Sequence, residues 1–333
     1  MDRIIRWGIL STANIGIEHV IPAIQRASGC EVLGIASRKI TGAEAAARKL
    51  GIPRAYGTYE SLLDDPDIDA VYIPLPNHMH IEWMRRCLEA GKHVLCEKPL
   101  ALKAQDIDEM IAWEKRSGLV AGEAFMVLHH PRWKRVKELI AQDEIGKIKH
   151  VDGFFSYYND DPMNIRNKPE YGGGSTYDIG VYPVVTSRMV LGEEPLRVVA
   201  KGTMDPVMGI DTLSSFLLEY PSCSAAFTCS MQISPFQQMR FFGDKAILTL
   251  DTPFNTPNDR SVNLERVAGI FPEDISVREE FSACDHYTLQ AEAFRKSIIE
   301  GVPFAGSLEH AKRNQRVIDA IYRSISVGDW VEV

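Results

Sequence analysis

Three side chains with acid–base chemistry stand out by their neighbours. Lys98 lies in Cys96-Glu97-Lys98-Pro99-Leu100, while Asp178 and Tyr182 follow the run Glu170-Tyr171-Gly172-Gly173-Gly174-Ser175-Thr176-Tyr177. A lysine directly after a strand can stay cationic and polarise a carbonyl, or donate a proton once its pKa is lowered, and a following proline fixes the backbone that aims it. Asp178 and Tyr182 are spaced i and i+4, which puts both on one face of a helix. A phenol beside a carboxylate and a lysine can relay a proton to or from a substrate hydroxyl, as alcohol oxidation requires. The three glycines give a loop whose backbone can lie against a ligand. Each feature alone has a plainer reading: a surface lysine with a glutamate neighbour, a flexible loop, a tyrosine that only packs. Their placement among the other elements decides between the two.

Those elements alternate. Residues 4–10 form an apolar run, Ser11-Thr12-Ala13-Asn14 is a small-residue turn, and Ile17, Val20, Ile21 and Ile24 fall at helical spacing. Strand-like segments at 31–36, 70–74, 93–96 and 119–121 are separated by helical patterns at 43–50, around Ile81, Met84 and Leu88, and around Ile107, Met110 and Ile111. Strands alternating with helices predict a parallel sheet, since parallel neighbours need crossover connections, and the doubly wound Rossmann arrangement follows. Beyond residue 123 strand-like segments succeed one another at 151–158, 196–203, 213–220, 225–232 and 246–250. Helical patterns there are confined to 131–142, the stretch after Asp178, 288–300 and 308–325. The fold class is α/β: a Rossmann domain over 1–123 and an α+β domain over 124–333 with an antiparallel or mixed sheet.

The strand-end loops carry the ligand chemistry. The first reads Ser11-Thr12-Ala13-Asn14-Ile15-Gly16, in which small residues replace two glycines of G-x-G-x-x-G. Small side chains still permit close approach of a pyrophosphate to the helix N-terminus, and the hydroxyls can donate to it; an ordinary turn has the same look. The second strand ends Ala36-Ser37-Arg38-Lys39. With cations and no acid there, a 2′-phosphate is favoured, so NADP(H) is expected over NAD(H). Pro74-Leu75-Pro76-Asn77-His78-Met79-His80 follows the third strand of the alternation, where its loop would face the cofactor, with Asn77 able to cap the next helix. Neither His78 with His80 nor His129 with His130 has a Cys, Asp or Glu cluster at ligand spacing, so no metal is expected.

Composition narrows the class. The chain has 333 residues, with 37 Lys+Arg against 45 Asp+Glu for a formal net charge of -8 and no long basic run, so a nucleic-acid partner is not expected. No apolar run is long enough to cross a membrane, and the N-terminal residues lack a secretory pattern, so a cytoplasmic protein is expected. The six cysteines form no C-x-x-C pair and read as reduced and structural.

Taken in order, Trp7 to Gly16, Ala36-Ser37-Arg38, Pro76 to His80, Glu97-Lys98-Pro99-Leu100, Glu123-Ala124-Phe125-Met126, and Gly172 to Gly174 with Asp178 and Tyr182 resemble the glucose-fructose oxidoreductase and inositol dehydrogenase superfamily. Tyr182, where many members have His, is similar to the branch with D-xylose dehydrogenases and dimeric dihydrodiol dehydrogenase. The resemblance implies hydride transfer between nicotinamide and a sugar, polyol or related substrate, a trans-dihydrodiol or anhydro-sugar being the alternative. It implies Lys98 and Tyr182 on the reacting oxygen, Tyr182 as general acid or base, and Asp178 orienting them. Cofactor contacts are expected from Ser11, Thr12, Ala13, Asn14, Ile15, Ser37, Arg38, Leu75, Asn77, His80, Glu97, Lys98 and Arg166. It further implies a large, open, mainly antiparallel C-terminal sheet through which a homodimer or homotetramer is built, with the last helix able to pack back on the first domain. Leu128 departs from the sugar-dehydrogenase pattern, which commonly has Arg there, and bears on substrate identity. The same superfamily includes dinucleotide-sensing regulators without turnover, and the filled acid–base positions argue against that alternative.

Overall fold

The computed structural model describes residues 3–269 and 275–333. The chain divides into two compact units, one of residues up to His129 with Asp285–Lys312, the other of His130–Cys284 with Arg313–Val333. The boundary expected after residue 123 lies just before this division, and 285–312 group with the first unit.

The first unit is a parallel sheet of β1 (Ile5–Leu10), β2 (Cys30–Ala36), β3 (Arg54–Tyr56), β4 (Ala70–Ile73), β5 (His93–Glu97) and β6 (Ala121–Ala124), in the order β3-β2-β1-β4-β5-β6. In β1, Ile5, Trp7, Ile9 and Leu10 are all fully buried, as a strand covered on both faces requires. The order reverses between β1 and β4, so the turns after Leu10 and Ile73 flank the crevice where such sheets bind ligands. Helix α1 (Ile21–Arg26) continues from a π-helical turn at Gly16–Val20; α2 (Ile40–Leu50), α3 (Tyr59–Leu63), α4 (His80–Glu89) and α5 (Ile107–Ser117) connect later strands. One face of the sheet packs Leu10, Val71, Ile73, Met84, Cys96 and Met110; the other packs Trp7, Ile9, Ile21, Ile35 and Tyr72. A helix from far along the chain, which we number α8 (His286–Glu300), completes the second face: Phe294 is fully buried and its ring lies 5.4 Å from that of Trp7. That indole–phenyl contact, Ala291 and Phe304 in the same cluster, and the Arg295 bonds to the Gly29 and Arg3 carbonyls join this segment to the first unit.

The intervening chain begins with α6 (Pro131–Ala141) and α7 (Val181–Leu191) and builds a second sheet. Its strands are β7 (Ile148–Tyr158), β8 (Arg197–Met204), β9 (Asp211–Glu219), β10 (Ser224–Ser230), β11 (Gln232–Gly243), β12 (Ile247–Asp251), β13 (Val262–Ala268), β14 (Ile275–Phe281) and β15 (Val331–Glu332). Their order is β14-β13-β12-β11-β7-β10-β9-β8-β15; β7 and β10 run parallel and the other neighbours antiparallel. The segment read as one strand over 225–232 ends at Ser230, and β11 starts after it with Pro235 in a register shift against β7. A proline cannot donate to a ladder and is accommodated at such an irregularity. Alternation along β7 buries Val151 and Phe155 and leaves Asp152 and Phe154 on the other face. That second face pairs Arg240 with Asp152 at 2.5 Å, Ser215 with Thr228 at 2.9 Å, and Phe154 with Phe236. Helix α7 is buried nearly all round, consistent with its run of Val181, Val184, Val185 and Val190. The last helix, α9 (Leu308–Val327), starts within the first unit's residues and ends within the second's. Among the described residues, no helix is long and apolar enough to cross a membrane.

Candidate active site

In the first unit the candidate residues cluster at the carboxyl ends of β1, β2, β4 and β5. Ser11 leaves β1 with φ +96°, its hydroxyl donating to the Pro74 carbonyl at 3.0 Å and accepting from the Ala13 amide at 3.3 Å. The two loops flanking the crevice are thereby tied together. The Ile17 amide donates to the Ala13 carbonyl, so the amides of Asn14, Ile15 and Gly16 form the first turn and have no partner within the helix. Asn14 is exposed and Ser11, Thr12, Ala13 and Ile15 half-buried, which leaves this turn open to an anion. A side chain at Gly16 would meet nothing closer than 3.6 Å, so small residues suffice in this loop. After β2, Ser37 anchors its amide on the Tyr56 carbonyl, and the Arg38 and Lys39 side chains are exposed. An anion-accepting helix start beside a cationic turn fits a dinucleotide carrying a phosphate on its ribose.

The loops after β4 and β5 are held by a histidine. His80 is fully buried, its Nδ1 is 2.8 Å from the Pro99 carbonyl and its Nε2 2.8 Å from the Leu75 carbonyl. Both ring nitrogens face protein carbonyls, so His80 ties the two loops together. Burial pulls its pKa down to about 4, with the nearby His78 and Lys98 adding to the lowering. Asn77 is half-buried, and no side chain caps the 3-10 turn at Asn77–Met79 or α4. Lys98 is half-buried, and its peptide bond to Pro99 is cis. The Glu97 carboxylate accepts from the Tyr72 hydroxyl at 2.7 Å and from the Lys98 amide at 3.2 Å. Burial, then the Glu97 charge, raise the Tyr72 phenol well above its usual range. Sequence reasoning passed over Tyr72; the available signal was a hydroxyl inside a fully buried strand, which needs a partner.

In the second unit Asp178 is the centre. Its carboxylate accepts from the Tyr157 hydroxyl at 2.5 Å and from Arg166 Nε at 3.0 Å, and its side chain is 13% exposed. The charge of Asp178 raises the Arg166 pKa, with Tyr157 and Tyr182 contributing, so Arg166 stays cationic and lies within electrostatic reach of both phenols. Burial and the Asp178 charge push the Tyr157 phenol up, so it remains a donor. Tyr182 sits one turn further, its ring 5.4 Å from Phe155 and 5.7 Å from Phe254. Asp178 lies in a π-helical turn, Thr176–Gly180, that runs into α7, a wide turn of the kind found at functional positions. The structure thus brings together Asp178, Tyr182 and Arg166 in this unit and adds Tyr157, which sequence reasoning took as an ordinary strand residue. Ser11 to Ile15, Ser37, Arg38, Leu75, Asn77, His80, Glu97 and Lys98 belong to the first. The glycines before Asp178 answer internal demands: a side chain at Gly173 would lie 2.4 Å from the Arg166 carbonyl, and one at Gly174 2.1 Å from Asp211 Oδ1. Among the described residues, no three His, Cys, Asp or Glu gather as a metal site.

Comparison with known proteins decides the family. The profile of the oxidoreductase family with an NAD-binding Rossmann fold matches residues 5–125, and that of the GFO/IDH/MocA C-terminal domain matches residues 133–249. The chain belongs to the GFO/IDH/MocA oxidoreductase family. Within it, an uncharacterized oxidoreductase of Rhizobium meliloti is 42% identical over 99% of each chain. A D-xylose 1-dehydrogenase (NADP(+)) of Haloferax volcanii is 39% identical over 98% of this chain and 99% of its own. A 3-ketoreductase of Actinomadura kijaniata, solved with NADP and TDP-benzene, superposes with a TM-score of 0.90 at 28% identity over 97% of this chain and 98% of its own. The oxidoreductase reading therefore stands over the regulatory one.

Proposed function

We propose that this GFO/IDH/MocA protein is an NADP-dependent dehydrogenase or reductase acting on a CH–OH group of a sugar or polyol. The observation that carries the reading is the Asp178 carboxylate, shared by Tyr157 and Arg166 one turn before Tyr182. When bound, the nicotinamide supplies the hydride acceptor or donor. In oxidation the carbinol carbon gives up hydride and its hydroxyl proton passes to Tyr182; in reduction the Tyr182 phenol returns that proton to the carbonyl oxygen. Arg166 favours the phenolate that oxidation needs, since the interaction that raises the arginine equally stabilises the ionised phenol. Asp178 keeps Arg166 in place, and Lys98 supplies a second donor to the reacting oxygen. Ser37, Arg38 and Lys39 would hold the ribose phosphate, and the amides of Asn14, Ile15 and Gly16 the pyrophosphate. The NADP-named relatives support this preference. The sheet face carrying Asp152, Phe154, Phe236 and Arg240 is the one we assign to pairing with a second copy. We place the protein in the cytoplasm, a reducing compartment that suits buried thiols such as those of Cys87, Cys96 and Cys229.

The test is a fluorescence titration of the purified protein with NADPH and NADH, followed by nicotinamide absorbance with a panel of D-xylose, other aldoses, polyols, trans-dihydrodiols, anhydro-sugars and keto-sugar nucleotides. Tighter NADPH binding with turnover of a panel member is expected, together with losses of about 10²-fold or more in kcat for Lys98→Ala and Tyr182→Phe. Wild-type rates in either variant would remove that residue from the mechanism, and binding without turnover would restore the sensor reading.

A further inference from the structure

Asp211, the first residue of β9, is 1% exposed, and its carboxylate accepts from five neutral donors. Ser175 Oγ at 2.7 Å, the Thr176 amide at 2.8 Å, Thr176 Oγ1 at 2.7 Å and Ser214 Oγ at 2.9 Å reach Oδ2, and the Tyr322 hydroxyl reaches Oδ1 at 2.8 Å. A buried carboxylate is costly unless its lone pairs are satisfied. Here three of the donors come from the two residues that open the π-helical turn carrying Asp178, where a negative charge is also favoured by the helix dipole.

The glycine before them shows what this arrangement controls. Gly174 adopts φ +123°, donates its amide to the Arg166 carbonyl at 2.9 Å, and accepts from the Asp178 amide at 3.0 Å. Its bare Cα faces Asp211, leaving no room for a side chain. One residue therefore registers the Arg166 segment and the Asp178 helix against the same carboxylate. Losing that anchor frees the phase of the helix turn on which both Asp178 and Tyr182 ride.

We propose that Asp211 is a positioning residue for the Arg166, Asp178 and Tyr182 group, fixing the rotation of their helix from the sheet beneath it. The proposal rests on the assignment of Tyr182 to the proton transfer, and its test separates the two. In Asp211→Asn the volume is kept but the amide nitrogen turns a donor toward hydroxyl and amide donors. Expected are a kcat lowered about 10²-fold, as a misplacement of about 1 Å can produce, with NADPH affinity unchanged. In the double variant with Tyr182→Phe no loss is expected beyond that of Tyr182→Phe alone, because Asp211 acts through that phenol. Rates are read with the panel member turned over fastest. Hydrogen–deuterium exchange of peptides spanning 172–182 needs no substrate and should rise in Asp211→Asn while peptides of β1 and β4 keep their protection. Should that variant fail to fold, Tyr322→Phe and Ser214→Ala each remove one donor and should raise exchange in the same peptides. Additive losses in the double variant, a kcat within threefold of wild type, or unchanged exchange over 172–182 in every folded variant would overturn the proposal. Wild-type activity in Tyr182→Phe would instead sink the proton-transfer assignment, leaving the exchange result to decide on Asp211.

Discussion

Acidification from about pH 7.5 to about pH 5 should cost the folded protein about 2 kcal/mol at His80 alone. The imidazole is fully buried between the Leu75 and Pro99 carbonyls, and burial lowers its pKa from 6.5 to about 4. Between those two values the unfolded chain binds a proton that the native state refuses. Stability must therefore fall as the pH drops from 6.5 toward 4, and the contribution is intact above 6.5. At about pH 5 the interval below the unfolded pKa is about 1.5 units, worth about 1.4 kcal/mol each. His93 and His129 are lowered to about 4 by burial and act with the same sign, so the wild-type pH dependence alone does not isolate His80. Comparison with His80→Gln does. Urea unfolding of both proteins at the two pH values should show the variant losing about 2 kcal/mol less on acidification. Identical pH dependence in the two would refute the reasoning. A wild type that gains stability on acidification would show the reverse, an imidazolium donating to both carbonyls at once.

Other perturbations follow from the same geometry. Gly174→Ala places a methyl group 2.1 Å from Asp211 Oδ1 at φ +123°, and should destabilise by about 2 kcal/mol or more in thermal or urea unfolding. Tyr157→Phe removes the 2.5 Å donor to Asp178 and should lower kcat about tenfold while NADPH affinity, read by fluorescence, stays unchanged. Arg38→Ala deletes an exposed cation after β2 and should weaken NADPH binding about tenfold or more while leaving NADH binding nearly unaffected, so that loss of both affinities alike would contradict the phosphate assignment.

The first unit was legible because its strands are buried on both faces and its helices are amphipathic: Ile5 to Leu10, Ala70 to Ile73 and His93 to Cys96 announce themselves as apolar runs. Shorter pieces gave no such signal, and β3, a three-residue strand, went unread. In the second sheet, alternation exposed β7 and β9, but β11 carries Pro235 and several glutamines and lies beyond what a period-two pattern detects. The site divided in the same way. Lys98, Asp178 and Tyr182 were found because local motifs frame them. Tyr157 and Asp211 were missed because their meaning depends on partners 21 and 36 residues away, brought together only by strand pairing and the helix turn. The triple glycine was seen but its cause was not: its bare backbone accommodates Arg166 and Asp211, both within the protein.

The helix of Phe294 makes the first unit depend on residues translated long after its last strand. One side of β1 waits for a ring encoded long after β6, so the nascent Rossmann sheet leaves the ribosome without Phe294 over Trp7. At about 5–20 residues per second that wait lasts roughly 15–60 s, during which the second unit's strands emerge beside an unfinished apolar face. Loss of the segment after residue 284 would leave that face permanently open, and a chaperone binding site would be expected at Trp7 in any such truncated chain.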